Sequence, residues 1–310
     1  MKYSGIGGQA VIEGIMMMKG EDYAVAVRRP DKEIEVKKDT YQSITKKAKI
    51  LQLPFVRGVF RFADSMIIGM RSLTYSASFF EDDEDAEPGK FEQFLDRVFG
   101  EKLESAIMAA VLVISFILAI GIFMLLPLGI ANLFKGVITS DHLMAVLEGV
   151  IRIAIFIIYI KLVSRMEDIR RTFMYHGAEH KCINCVEHGH PLTVKYVRES
   201  SKEHKRCGTS FILIVMVISI LMFMVIRVDT IWMRILSRII LVPVIAGISY
   251  EVLQCAGRSN SKFMDLVSRP GMWMQGLTTK EPDDTMIEVA IAAVEAVFDW
   301  QAYLDENFPG

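Results

Sequence analysis

The sequence predicts a mainly α-helical, polytopic membrane protein with about four transmembrane helices and a small cytoplasmic α+β portion. The chain has 310 residues, of which 52% are hydrophobic, and its mean hydropathy is +0.34. No charged residue occurs in residues 105–134 or in residues 207–226. A helix needs about 20 apolar residues to cross the hydrocarbon core, so both runs are long enough to span it.

Two further segments, 142–163 and 231–251, are apolar but interrupted by charges, and we predict them as the second and fourth spans. Buried or interfacial helices are the alternative for this pair. The second span carries Glu148 and Arg152 one helical turn apart. Charges at such depth usually face the interior of a bundle and pair with each other.

The spans divide the chain into five predicted regions: an N-terminal cytoplasmic segment (1–104), spans one and two (105–163), a His- and Cys-rich loop (164–208), spans three and four (209–251) and a C-terminal cytoplasmic segment (252–310). The loop between spans two and three carries nine Lys or Arg residues, whereas the loop before span two has only Lys135. Positive charge concentrates on the cytoplasmic side, which predicts that this loop and both termini are cytoplasmic. Four cysteines on that side are expected to be thiols or metal ligands.

The N-terminal segment combines a Gly-rich stretch (6–20), an alternating pattern at 23–37 that predicts a β-hairpin, and a short helix at 41–53. Residues 55–71 form an amphipathic helix, either interfacial or, as the more ordinary explanation, packed with its apolar stripe on the cytoplasmic domain. Residues 81–89 are a solvated acidic linker. A final helix, about 285–307, is expected to pack on the N-terminal segment, and the stretch 268–273 is rich in turn residues.

The most informative motif is His176-Gly177-Ala178-Glu179-His180. On a helix the two histidines stand four residues apart on one face, where both imidazoles can reach one metal ion. The H-x-x-E-H order is that of inverted zinc peptidases, in which the glutamate is the general base. A polar turn whose side chains bond only to each other and to the backbone is the plainer alternative.

A catalytic site would need a third protein ligand. Glu251, at the predicted cytoplasmic end of the fourth span, is the first candidate, and His204 and Cys207 are the alternatives. Zinc is the expected metal, although iron or manganese would suit imidazole and carboxylate ligands as well. The pair Cys182 and Cys185 forms a C-x-x-C that permits a structural zinc site, but no matching second half follows it.

The chain resembles the bacterial YqhQ-like family of polytopic membrane proteins, DUF 1385, through motifs at residues 8–17, 175–181, 204–211, 247–251, 270–275 and 278–282. The resemblance implies a predicted metal-dependent enzyme in the bacterial plasma membrane. Eight residues of chemical interest stand in its motif positions: Glu13, His176, Glu179, His180, His204, Arg206, Cys207 and Glu251. Of these, Glu13 and Arg206, together with Tyr250, are expected to support the ligands, and Glu13 is also a candidate ligand.

Two functions follow as hypotheses. The first is a metal-dependent hydrolase with Glu179 as catalytic base and its site at the cytoplasmic membrane interface. Its expected partners are membrane lipids and a membrane-embedded peptide or lipid-linked substrate, and a homo-oligomer is left open. The second is a transporter, channel or scaffold whose His/Glu/Cys cluster is structural or regulatory. A net charge of −2 argues neither for nor against a nucleic-acid partner. No aromatic-interleaved basic motif suggests one, so we expect no nucleic-acid partner.

Overall fold

The computed structural model describes residues 2–80, 103–226, 230–258 and 261–309. Its contacts divide the chain into two compact units, one formed by residues 1–80 and 160–310 and the other by residues 81–159. The predicted acidic linker at 81–89 lies outside the described residues.

The N-terminal segment forms a four-stranded antiparallel sheet rather than a single hairpin. The strands follow chain order: β1 (Ile6–Val11), β2 (Gly14–Lys19), β3 (Asp22–Arg28) and β4 (Ile34–Thr40). The predicted hairpin corresponds to β3 and β4. The Gly-rich stretch supplies β1 and β2, which are joined by a two-residue turn in which Glu13 adopts a positive φ of 48°.

Helices account for most of the remaining chain. They are α1 (Val56–Ala77), α2 (Leu103–Ile120), α3 (Leu126–Asn132), α4 (Asp141–Val163), α5 (Glu167–Glu187), α6 (Val194–Glu199), α7 (Gly208–Val225), α8 (Ile231–Arg258), α9 (Lys262–Thr278), α10 (Asp284–Val297) and α11 (Trp300–Asn307). A π-helical turn, Gly121–Leu125, joins α2 to α3. The unit of residues 1–80 and 160–310 contains the sheet and is called the sheet unit. Its core lies where the sheet packs on α5 and α10, and apolar residues of α10 such as Ile287 and Ala290 are fully buried there.

Within the described residues, four helical segments are long and apolar enough to cross a membrane: Ala110–Asn132, Asp141–Val163, Gly208–Val225 and Leu236–Gly257. They coincide with the four predicted spans, so the molecule is a membrane-type helical protein. In α4, the Arg152 guanidinium donates to the Glu148 carboxylate at 2.6 Å, which confirms the predicted pairing within one helical turn.

Four local predictions differ from the structure. Residues 41–53 form two 3-10 turns, Ile44–Lys47 and Lys49–Gln52, instead of an α-helix. The turn-rich stretch 268–273 lies inside α9, which accommodates Pro270. The last predicted helix is two helices, α10 and α11, because Phe298 is extended and Asp299 caps a new helix.

The fourth difference concerns α1. Much of the apolar stripe expected to pack on the cytoplasmic domain points outward. This is shown by four of its residues that are exposed: Phe55, Met66, Ile67 and Met70.

Candidate metal centre

The H-x-x-E-H motif lies on α5, as its spacing predicts. His176 and His180 occupy successive turns of one face, and their ring centroids are 4.4 Å apart. Cys207 approaches from outside this helix, because it is the residue that caps the amino end of α7. One donor atom from each of the three residues lies within 4.8 Å of the other two. The sulfur of Cys207 is 3.3 Å from Nε2 of His176.

Backbone carbonyls fix both imidazole rings. Nδ1 of His176 lies 3.0 Å from the carbonyl oxygen of Thr278, and Nδ1 of His180 lies 2.7 Å from that of Lys202. A carbonyl can only accept, so each Nδ1 carries the proton and each Nε2 keeps its lone pair. This is the arrangement by which proteins orient histidine ligands for a metal. In both rings Nε2 is therefore unprotonated and free to bind a metal through its lone pair.

The last residue of α9 supplies one of these carbonyls, and the loop that follows α9 packs directly on α5. The N–H of Lys280 donates to the carbonyl of Phe173 at 2.8 Å. A Cβ on Gly177 would stand 2.0 Å from the Lys280 carbonyl oxygen. Glycine at this position of the motif therefore lets the loop approach closely enough for Thr278 to reach His176.

Glu179 is buried beside the ligand atoms. Its Oε2 is 3.9 Å from Nε2 of His176, and its side chain packs under β1, where a Cβ on Gly8 would come within 3.0 Å of it. Burial raises the pKa of Glu179, while the nearby imidazole of His176 and a hydrogen bond from the Gly8 backbone oppose that rise. A carboxyl group with a raised pKa is suited to exchange protons near neutral pH.

Gln275 of α9 holds the segment that carries Cys207. It is fully buried, accepts from the His204 N–H at 2.8 Å, and donates to the His204 carbonyl and to the hydroxyl of Ser210. The sulfur of Cys207 itself accepts from the N–H of Thr209 at the start of α7. These bonds fix the sulfur at the end of a predicted span, facing α5.

His204 has a different environment from the two motif histidines. Its Nε2 lies 3.6 Å from a carboxylate oxygen of Glu187, whose other oxygen accepts from Arg206 and from Ser4. Burial lowers the pKa of His204, and the nearby carboxylate of Glu187 works against this. The ring centroid of His204 lies 5.8 Å from that of His180 with the two planes tilted by 48°, and His204 is outside the three-residue cluster.

The carboxylate of Glu251, the first candidate for the third ligand, is engaged elsewhere. Both its oxygens accept from Arg57 of α1, at 2.7 and 2.6 Å, so it pairs with a guanidinium and does not belong to the cluster. Its neighbour Tyr250 packs against Gly58 of α1. Among the described residues, the structure therefore brings Cys207, not Glu251, to the two histidines.

The expected supporting residues connect the site to the N-terminal segment. Glu13 pairs through both oxygens with Arg171 and accepts from the hydroxyl of Tyr175, which fastens the β1–β2 turn to α5 next to the motif. Arg206 binds Glu187.

The C-x-x-C pair is part of the core. Cys182 is fully buried among apolar side chains, and the thiol of Cys185 donates to the carbonyl of Pro191 at 3.4 Å. Burial raises the pKa of both thiols, that of Cys185 to about 11. Thiols in such surroundings are inert, so they are packing residues here.

Two contributors were missed by sequence reasoning. Gln275 contacts His204, 71 residues away in the chain, and Glu187 contacts Ser4, 183 residues away. Each is a fully buried polar residue near an end of a helix. Burial of such a residue is unusual, and it is the only feature that indicates a role for either one.

These features define a class: a membrane-type helical protein in which a helix of spanning length, α7, starts at a largely buried cluster of two histidines and one cysteine. A family described as a protein of unknown function, DUF1385, matches residues 53–300, and the chain belongs to this family. It is also similar to an uncharacterized protein, YqhQ, of Bacillus subtilis (strain 168), with 33% identity over 302 residues that cover 97% of this chain and 94% of that one. No solved structure matches the chain.

Proposed function

We propose that the protein is a metal-dependent hydrolase of the cytoplasmic membrane, with a divalent metal held by His176, His180 and Cys207. The cluster of donor atoms supports this proposal most directly. Zinc bonds of about 2.0–2.3 Å in tetrahedral geometry place ligand atoms roughly 3.3–3.6 Å apart. The observed 3.3 Å between the Cys207 sulfur and Nε2 of His176 fits that spacing.

The donor set also favours a reactive site over a purely structural one. Structural zinc sites are closed by four protein ligands, whereas catalytic sites have three and keep one position open. Within the described part of the chain the cluster offers three. Imidazole with thiolate suits zinc better than manganese, which prefers oxygen ligands. The revised ligand set therefore narrows the expected metal to zinc, with iron as the second choice.

The roles of the chain's own groups follow from their surroundings. A metal at this position would act as a Lewis acid towards water and towards a carbonyl or phosphoryl oxygen of the substrate. Glu179 would take and return a proton at Oε2, the oxygen nearest His176. The backbone carbonyls of Thr278 and Lys202 keep the proton of each imidazole on Nδ1, so that Nε2 stays available to the metal.

The substrate class follows from where the cluster stands. Cys207 begins a helix of spanning length, and a cytoplasmic orientation of that end agrees with the basic loop before it. We infer that the site receives a membrane-embedded peptide or a lipid-linked molecule. A homo-oligomer is compatible with this arrangement.

The experiment that tests the proposal compares metal content with hydrolysis. Purified full-length protein is analysed for bound metals as wild type, as His176→Ala/His180→Ala, as Glu179→Gln and as His190→Ala. His190 is exposed on a loop outside α5 and serves as the matched control. We expect about one zinc per chain in wild type, Glu179→Gln and His190→Ala, and none in the double variant.

Hydrolysis is then measured on fluorogenic peptides and lipid-linked esters in vesicles, and it should disappear in Glu179→Gln, which keeps its metal. Protein that stays free of metal after incubation with zinc or iron would contradict the proposal. That result would favour the transporter, channel or scaffold, for which the buried Glu148–Arg152 pair in α4 is the supporting observation.

A further inference from the structure

The polarity of α1 is the reverse of what a helix on a water-soluble domain shows. Its packed face consists largely of small or polar residues, namely Gly58, Asp64, Ser72 and Ser76 together with Ile68. Its outward face carries large apolar side chains: Phe62, Met66, Met70 and Leu73 are between 40% and 55% exposed. A soluble domain would bury this stripe and expose the polar one.

Helix α9 has the same inverted character. Ser268, Gly271, Gln275 and Thr278 are buried against neighbouring elements. Phe263, Leu266 and Trp273 are 60–70% exposed on the opposite side. Contiguous exposed apolar surface of this kind marks contact with a membrane or another apolar partner.

Both helices pack on the same end of the two spanning helices in their unit. A Cβ on Gly58 of α1 would meet the side chain of Tyr250, and Phe62 lies 5.6 Å from Phe211 between ring centroids. Gly271 of α9 packs on Ser210 at the start of α7. Their apolar faces therefore continue the exposed apolar surface of α7 and α8 rather than form isolated patches.

Charged residues lie beside these faces. Arg61 of α1 and Lys262 and Arg269 of α9 are exposed. Long basic side chains at such positions extend to the headgroups while their stems stay in apolar surroundings. Anionic headgroups attract each of them by roughly 1 kcal/mol.

We propose that α1 and α9 lie in the lipid interface of the bilayer, with their outward faces in contact with acyl chains. The partner is the membrane surface itself, containing anionic phospholipid. Thr278 is the last residue of α9, and Cys207 caps the end of α7 on which both helices pack, so the His176–His180–Cys207 cluster stands at the level of the headgroups. This inference is independent of metal binding at the cluster.

Tryptophan fluorescence tests the proposal in the full-length protein. The chain is reconstituted in vesicles of phosphatidylcholine and phosphatidylglycerol, with and without bromine on the acyl chains. Trp232→Phe/Trp300→Phe leaves Trp273 as the reporter of α9. Met66→Trp in a chain with all three native tryptophans replaced by Phe reports on α1. A third chain that keeps only Trp300, on α11 of the sheet unit, is the control.

We expect brominated lipid to reduce the emission of both reporters by about twofold, since an interfacial helix sits at the boundary that the acyl bromines reach. The Trp300 control should keep its emission. Two results would overturn the proposal. Reporters insensitive to brominated lipid but quenched by aqueous acrylamide would place both faces in water. Reporters insensitive to both quenchers would show that a second copy of the chain or another protein covers them.

Discussion

Cys207 and His176 are 31 residues apart in the chain, yet the Cys207 sulfur lies 3.3 Å from Nε2 of His176. Removing the sulfur should therefore remove a ligand, and we expect Cys207→Ser to lower zinc affinity by at least about 100-fold, since loss of even an orienting partner costs 10- to 100-fold. Cobalt-loaded wild type should show a thiolate-to-metal charge-transfer absorption that Cys207→Ser lacks. Competition with a coloured chelator measures the affinity.

Glu251→Gln is the matched control for this experiment. Its carboxylate pairs with Arg57, so we expect unchanged zinc affinity and an unchanged cobalt spectrum. The assignment of Cys207 would be wrong if Glu251→Gln released the metal and Cys207→Ser kept it.

Gln275 should control the position of Cys207 without touching the metal. Gln275→Ala leaves the N–H and carbonyl of His204 buried without their partner, at about 1–3 kcal/mol for each group. The segment carrying Cys207 then loses its anchor, and we expect zinc affinity to fall by about 10- to 100-fold. Gln301→Ala, at an exposed position of α11, should change neither stability nor affinity. Equal affinities in the two variants would show that Gln275 serves stability alone.

Gly177 allows the loop after α9 to approach α5. In Gly177→Ala the new Cβ would meet the Lys280 carbonyl oxygen, so the loop must move, and we expect a loss of about 1–3 kcal/mol in the free energy of unfolding. The Thr278 carbonyl moves with the loop, which should also weaken zinc binding. Thermal unfolding in detergent, with and without zinc, measures both effects.

The control for this variant is Gly276→Ala. Gly276 lies within α9 with nothing within 4 Å of the added Cβ. Alanine has the higher helix propensity, so this variant should gain about 0.5–1 kcal/mol. A similar gain in Gly177→Ala would contradict the close approach.

Much of this architecture follows from local sequence patterns. The spans follow from uncharged runs, and the shared face of His176 and His180 follows from their four-residue spacing. The choice between Glu251 and Cys207 as third ligand does not follow from such patterns. Each stands at an end of a predicted span, and only packing decides which one faces α5. In the structure Glu251 forms an ion pair with Arg57, and Cys207 is the residue that lies beside the two histidines. Arg57 and Glu251 lie far apart in the sequence, and no periodic pattern signals a contact between them.

The strands β1 and β2 were missed for a related reason. Their glycines and consecutive methionines do not alternate in polarity, because β2 is buried on both faces along most of its length. Such a strand lacks the period-two signal of a half-exposed one. The amphipathic pattern of α1 was recognised, but sequence alone could not assign its apolar stripe to the core or to lipid.

Glu187 should make the stability of the fold depend on pH in the acid range. Burial alone would raise its pKa, but the nearby imidazole of His204, the charge of Arg206 and the Ser4 N–H outweigh burial and hold the pKa at about 2. A carboxylate whose pKa is lower in the folded state stabilises the fold fully above its unfolded pKa, which is 4.5. The stabilisation, about 3 kcal/mol by linkage, is lost as the pH falls from about 5 to about 2.

Glu187→Gln isolates this contribution. At pH 7 the variant leaves the Arg206 charge without its carboxylate, and we expect a loss of about 3–5 kcal/mol, the usual cost of breaking a buried pair. As the pH falls below 4.5, wild type loses the same interaction and the difference between the two proteins should shrink. Denaturant unfolding at several pH values between 2 and 7 measures that difference. A difference that stays constant across this range would show that Glu187 is not held ionised by His204 and Arg206.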